Sequence, residues 1–366
     1  MNYLRFISLT FCFPFMMLSC NRAPEVNIVD KGATEQTKNL YAHLKALSND
    51  HILFGQQGAL TQGYGWWRHH DSTSTSDLYE VSGHYPALYG YDFGRVQKRY
   101  LDMERKVILQ SYHRGGVITF SQHMQNPASG KGPRDTTLNL DDILPGGYAH
   151  KNFTDILDKV GSFAKSLKTP DGTLIPVIYR PFHEHTGNWF WWGEAFNTPD
   201  QFVSLWRFTV HYLRDSLNVH NFLYAYSPDT VESVAHYLER YPGDDYVDVL
   251  GIDIYRDVES NNLPAYLKRI RMVVNLAEKK NKIAALTETG YSRHDITDWW
   301  TAFLGQVAKD PVAKKISYLM LWANYHDDQY YSIYPGNASE PDFLEMIRDS
   351  TFLFEDELPD MYAPVK

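Results

Sequence analysis

The sequence predicts an α/β chain closed into a single (β/α)8 TIM barrel, and three observations carry that expectation. Short apolar runs recur at 51–57, 85–92, 116–123, 173–182, 221–227, 247–255, 283–289 and 316–323. Most are continuously apolar rather than alternating, as parallel strands covered on both faces must be. Amphipathic stretches separate them, and eight strands each followed by a helix give this barrel.

Taken in chain order, residues 1–19 read as an export signal. Arg5 supplies a positive start and FISLTFCFPFMML a short apolar region, too short for a membrane-spanning helix. The MLSC at its end resembles the bacterial lipoprotein box, which makes Cys20 the lipidated first residue of the mature chain. Cys12 lies in the removed segment, so the mature chain would hold no free thiol and no disulfide. Residues 20–32 are then a lipidated tether and 33–366 the catalytic domain, opening with an extra helix at about 33–48. Asn-Arg-Ala-Pro follows Cys20, and the first acid is Glu25. Surface-displayed lipoproteins resemble one another in an early acidic cluster. Its lack here favours a periplasm-facing, membrane-anchored protein, with the cell surface as the alternative.

In 95–114, Val96, Tyr100, Val107 and Ile108 share one helical face; in 264–281, Leu267, Ile270, Val274 and Ala277 do the same. TPDQF at 198–202 opens a helix with Thr198 as N-cap and Pro199 in its first turn. Residues 124–150, rich in Gly, Pro, Asn and Asp, form an insertion after the third strand. No linker or low-complexity tract interrupts 33–366. At 366 residues and 43% hydrophobic, the chain can bury one large core. A net charge of −9 without a Lys/Arg cluster excludes nucleic acid as a partner. The 26 Tyr and 9 Trp exceed what a core needs, so part of them lines a binding surface. Membrane contact is through the lipid anchor only, and a monomer is expected.

A barrel of this kind carries its chemistry at the C-terminal ends of the strands. Gln56, Gln57, Asp92, His123, His183, Glu184, His185, Tyr226, Tyr255, Glu288, Trp322 and Asn324 occupy those ends and should converge on one rim. Glu184 and Glu288 lie past the fourth and seventh strands. Hydrolysis of a glycosidic bond needs such a pair, one proton donor and one nucleophile or base. Glu184 stands beside Trp189, Phe190, Trp191 and Trp192, whose flat faces suit sugar rings. Burial there disfavours its charge, which suits the acid. Glu288 is flanked by Thr287 and Thr289, and a hydroxyl such as that of Tyr255 would favour its anion, which suits a nucleophile.

His183 is either a general base or the orienter of a carboxylate. His123 is a sugar-hydroxyl partner or a structural residue. Trp189 and Trp322 sit where a sugar would stack, and Trp66 and Trp67 serve either the core or the cleft. The HEH of 183–185 lacks HExxH spacing, and the HHD of 69–71 lacks carboxylates around it, so neither a metal nor a cofactor is expected. The lack of a G-x-S-x-G elbow disfavours a serine hydrolase.

Together YRPFHEHTGNWFWWG, ITFSQHM, GIDIY, TETG and LMLWAN resemble glycoside hydrolase family 26, mainly β-mannanases, across about 33–355. The resemblance implies a retaining enzyme with Glu184 as acid/base and Glu288 as nucleophile. It also implies substrate contacts from His123, His183, Trp189, Tyr255 and Trp322; His185 departs from the family's usual Asn or Met. The resulting reading is a retaining hydrolase of β-1,4-mannosidic bonds in mannans or mannooligosaccharides, an endo-β-1,4-mannanase or a mannobiose-releasing one. The alternatives are a β-glucanase or β-1,3-xylanase on the same scaffold, or a non-catalytic glycan-binding lipoprotein. The 124–150 insertion and the Trp66–Trp67 segment are long enough to wall off one end of the groove.

Overall fold

The structure is a computed structural model that describes residues 27–67, 75–95, 98–292, 296–325 and 329–365. The expected export signal with Arg5 and Cys12, the anchor Cys20, the 69–71 motif, Val96 and the side chain of Tyr100 lie outside the described residues.

Each expected run contains a strand: β1 Ile52–Gln57, β2 Leu88–Asp92, β3 Val117–Ser121, β4 Val177–Arg180, β5 Phe222–Tyr226, β6 Val249–Ile254, β7 Ile283–Thr289 and β8 Tyr318–Leu321. Every neighbour pair is parallel, and β1 closes the ring by pairing with β8 through Leu53↔Tyr318 and Phe54↔Leu319. The fourth strand is much shorter than its 173–182 run. Pro176 and Pro181 frame it, and neither has an N–H to give to the ladder.

Strand parity explains the unbroken apolar runs. Leu53, Leu88, Val117, Ile178, Leu223, Ala225, Val249, Ile283, Ala285 and Met320 fill the barrel interior. Their chain neighbours, among them Phe54, Tyr89, Tyr179, Tyr224, Leu250, Leu286 and Leu319, pack in the layer beneath the helices. Both faces are buried, so polar residues are confined to the strand ends.

The expected helices form for the expected reasons. Helix α1 (Glu35–Leu47) is capped by Thr34, which accepts from Thr37 N at 3.2 Å. Helices α2 (Lys98–His113) and α3 (His150–Ser166) follow β2 and the insertion. Helix α4 (Pro199–His211) has Thr198 and Gln201 in a reciprocal capping box with Pro199 in its first turn. Helix α5 (Leu263–Lys280) buries Ile270, Val274 and Ala277 and ends on Asn281 in the left-handed region. No helix among the described residues is long and apolar enough to cross a membrane.

Helix α1 plugs the N-terminal mouth of the barrel. Leu40, Tyr41 and Leu44 join the inner core together with Ile28, Ala33 and Met361. Among the described residues, this packing reaches back to Ile28. Buried Asp248 fastens that segment: it accepts from Val29 N at 2.7 Å and from Tyr224 N at 2.8 Å. Burial pushes its pKa up to about 6 despite those bonds. With the bottom sealed, the opposite mouth is left for chemistry.

Candidate active site

The mouth is organised around one buried cation. Parity aims Arg180, the last residue of β4, into the barrel, where its Nη1 donates to Asp253 Oδ2 at 2.8 Å and Ser227 Oγ at 3.1 Å. Its Nη2 donates to Glu288 Oε1. Burial works against the charge, but Asp253 and Glu288 outweigh it, so the guanidinium is held even more firmly charged than usual. A buried arginine fixed by two carboxylates is costly to form, and it holds both acids in one geometry.

Glu288 owes its direction to a bulge. Leu286 pairs with Ile252 and Leu319, whereas Glu288 pairs with Asp253 and Thr289 with Leu321, so β7 carries one extra residue there. The bulge lets both Thr287 and Glu288 face the interior. Thr287 Oγ1 donates to Asp253 Oδ1 at 2.6 Å, and Tyr255 OH donates to Glu288 Oε2 at 3.0 Å. Burial first, then the Glu288 charge, push the Tyr255 hydroxyl up, so it remains a donor. Each Glu288 oxygen thus accepts a hydrogen bond, which fixes the carboxylate in the mouth.

Glu184 reaches the mouth by a different device. Phe182 (φ 49°) and Glu184 (φ 53°) both lie in the left-handed region, where side chains other than glycine are strained. Glu184 N donates to Ser227 O at 2.8 Å and pins the turn. Trp189 Nε1 donates to Glu184 Oε2 at 2.7 Å. Desolvation raises the Glu184 pKa well above the ordinary carboxylate value, and the nearby charge of Glu288 raises it further. The two glutamates thus differ in environment: Glu288 accepts from Arg180 and Tyr255, whereas Glu184 is pushed toward its neutral acid.

Oxygens of Glu184, Asp253 and Glu288 lie within 4.8 Å of one another. Among the described residues these acids form a group close enough to hold a cation, but Arg180 already supplies the positive charge to two of them.

On the far side of the mouth, Asp92 accepts from the His123 ring and from Ser121 Oγ at 2.8 Å. Burial opposes its ionisation, yet His123 and Ser121 outweigh burial and hold Asp92 below the ordinary carboxylate range. This fixes His123 with its ring centroid 5.7 Å from that of Trp322, which is half-buried. His183 packs edge-on to His123 at 4.6 Å. Burial, and then the Arg180 charge, push its pKa well down, so its ring is neutral. His183 Nδ1 has no hydrogen-bond partner among the described residues, and His183 bonds neither glutamate, which removes the expected orienting role.

Several expectations need correction. Phe190, Trp191 and Trp192 are buried, so of that aromatic cluster only Trp189 offers a face to the cleft. Trp192 instead donates Nε1 to His183 O at 2.7 Å, and Trp191 donates Nε1 to Met124 O at 2.9 Å. Tyr226 is not on the rim: β5 parity turns it outward, where its hydroxyl donates to Tyr237 O at 3.0 Å. His185 is likewise buried, between Phe202 and Tyr226 with ring centroids 4.5 and 4.6 Å away. The 124–150 insertion folds onto the 189–192 loop, with Trp191 N donating to Pro133 O at 3.0 Å. Arg180 and Asp253 were missed as site residues. The available signal was a charge inside an apolar run, in VIYR and in GIDIY, because such a charge is rarely buried without a partner.

A cavity of about 700 Å³ opens against Trp189, the partner of Glu184, and is lined also by Asn188, Asp229, His236, Arg240 and Arg256 among others. A second, of about 820 Å³, lies at the opposite end of the molecule against Tyr112, Arg114 and Tyr362, where Arg114 is already bonded to Glu355 and Tyr89.

Comparison with known proteins bears on this mouth. Over 357 residues the chain is 35% identical to a mannan endo-1,4-beta-mannosidase of Bifidobacterium adolescentis, covering 89% of this chain and 35% of that protein. The chain thus spans about a third of that relative's length. A mannan endo-1,4-beta-mannosidase of Bacillus subtilis strain 168 is 29% identical over 256 residues, covering 64% of this chain and 67% of that one. Among solved structures, GH26C from a Muricauda species superposes with a TM-score of 0.86 at 34% identity, over 94% of this chain and 99% of that one. A GH26 beta-mannanase from Bacteroides ovatus does so at 0.84 and 36% identity, over 90% and 98%. The model of glycosyl hydrolase family 26 matches residues 29–339, and the chain belongs to that family.

Proposed function

We propose that the protein is a retaining hydrolase of β-1,4-linked mannan or mannooligosaccharides, with Glu184 as acid/base and Glu288 as nucleophile. The observation that carries this reading is the pair itself: two carboxylates with oxygens within 4.8 Å, one fixed by bonds from Arg180 and Tyr255 and the other pushed toward its acid form. Retaining hydrolases keep the pair at about 5–5.5 Å, whereas inverting ones leave about 6.5–9.5 Å for a water. The relatives named as mannanases support the choice of sugar.

In the first step a Glu288 oxygen attacks the anomeric carbon. The glycosidic C–O bond breaks, and the proton of Glu184 passes to the departing oxygen. In the second, the Glu184 carboxylate takes a proton from water while that water's oxygen attacks the same carbon and releases Glu288. His123, His183, Trp189, Tyr255 and Trp322 surround the bond: Trp189 and Trp322 offer stacking faces, and Asp92 holds His123 for a sugar hydroxyl. No cofactor is needed for either step. Cys20 as a lipid anchor, a periplasm-facing location and a monomeric state belong to the same proposal, supported by the MLSC box and the acid-poor residues after it.

Hydrolysis assays on mannan, mixed-linkage β-glucan and β-1,3-xylan test the sugar. Turnover of mannan at least about 100-fold above the other two is expected, since unmatched hydroxyl contacts cost that much or more. Equal or faster cleavage of glucan or xylan would overturn the assignment. A fragment match to an endoglucanase H, 34% identical over 85 residues, makes the glucan arm a real competitor.

A further inference from the structure

A buried polar node stands in the wall of the mouth between β1 and β8. Asp77, 3% exposed, belongs to the short helix Asp77–Ser82. Its Oδ2 accepts from Tyr64 N at 2.7 Å and from Asn324 Nδ2 at 2.9 Å, and its Oδ1 accepts from Trp66 Nε1 at 2.6 Å. Asn324, fully buried just past β8, accepts on Oδ1 from Tyr331 N at 3.0 Å and Ser332 N at 2.9 Å. Its Nδ2 also donates to Ile333 O at 3.0 Å. One carboxylate and one amide therefore tie the loop after β1 to the loop after β8. The fit is close, for a Cβ on Gly63 would sit 2.0 Å from Trp66 Nε1.

The node holds an aromatic wall. In the two-residue ladder of Gln62–Gly63 with Trp66–Trp67, Trp67 is 39% exposed and donates Nε1 to Tyr325 O at 2.9 Å. Tyr64 stacks flat on Tyr334, centroids 3.8 Å apart. Tyr331, half-buried, packs edge-on against Tyr255 at 5.7 Å, and Tyr255 bonds Glu288. The wall thus runs from the solvent rim down to the residue that holds the proposed nucleophile.

Its position relative to the scissile bond follows from Glu184. The proton donor stands by the leaving oxygen, so the leaving sugars extend toward Trp189 and the 700 Å³ cavity. The sugar that bonds Glu288, and the non-reducing part of the chain behind it, lies the other way, by Trp322 and the wall. Trp67 and Tyr325, bonded to each other, and Tyr331, packed on Tyr255, then belong to that side. The geometry points to Asp77 and Asn324 as the positioning pair that fixes where the non-reducing side of the groove ends, and hence the length of the piece released. This rests on the retaining mannanase reading above.

The test follows the first products from mannohexaose, with an aryl β-mannobioside as a short reference substrate. The wild-type enzyme is expected to release one short product length from the outset. Asp77→Asn places an amide where three donors converge on a carboxylate, and Trp67→Ala removes the exposed ring of the wall without removing a bond of the node. Each should raise the share of longer products about threefold or more, while kcat on the aryl substrate stays within about threefold. The double variant should add little, because both changes open the same wall. A broad wild-type ladder, or an unchanged product distribution in folded Trp67→Ala, would overturn the proposal. Wild-type protein that leaves mannohexaose intact would instead sink the mannanase reading itself.

Discussion

Glu288→Ala is expected to lower kcat/KM on mannan by roughly 10⁴-fold or more, the scale on which loss of a covalent nucleophile acts. No neighbour can replace it. Asp253 comes within 4.8 Å, but Arg180 takes one of its oxygens and Thr287 the other. The loss should fall on kcat for every substrate, whatever its leaving group, because the attacking atom is gone. Arg180 would keep Asp253 and Ser227 as partners, so the barrel should still fold. Glu288→Gln preserves the shape of the side chain and is the control for stability. Near wild-type turnover in either folded variant would remove Glu288 from the mechanism.

Glu184→Ala should lose comparable activity on mannan but fail differently. Mannan has a poor leaving group, so protonation of the departing oxygen is indispensable. An aryl mannoside with an acidic phenol leaves without that proton, so its first step should remain fast and its second should stall. Azide, which needs no general base, should then restore turnover and give a mannosyl azide. The pH profile provides an independent readout. Burial and Glu288 raise the Glu184 pKa, so the acid form survives to higher pH, and activity should fall as pH rises through that raised value. In Glu184→Ala that basic limb should disappear. An unchanged basic limb, or no response to azide on the activated substrate, would assign the proton transfer elsewhere.

The barrel was legible in the sequence because parity buries both faces of each strand, leaving apolar runs with polar ends. Glu184 and Glu288 were legible as acids just beyond or at the ends of such runs. What the sequence could not disclose was direction. A bulge in β7 turns Glu288 inward beside Thr287, and two left-handed residues after Arg180 turn Glu184 into the mouth. Parity also decides that Tyr226 faces the helices and that Arg180 faces Glu288, although both end strands of similar composition. The aromatic run at 189–192 misled because three of its rings serve the core. The Asp77–Asn324 contact joins residues 247 apart, which no local pattern reveals.

The central claim is that Glu288 bonds the sugar and water later displaces it from the same face. Proton NMR of the product formed in the first minutes of mannooligosaccharide hydrolysis tests this most directly, because it reads the anomeric configuration before mutarotation. Two displacements at one carbon restore the starting configuration, so the β-anomer should appear first and the α-anomer only on equilibration. An α-anomer formed first would mean a single displacement by water, and the nucleophile role of Glu288 would be wrong.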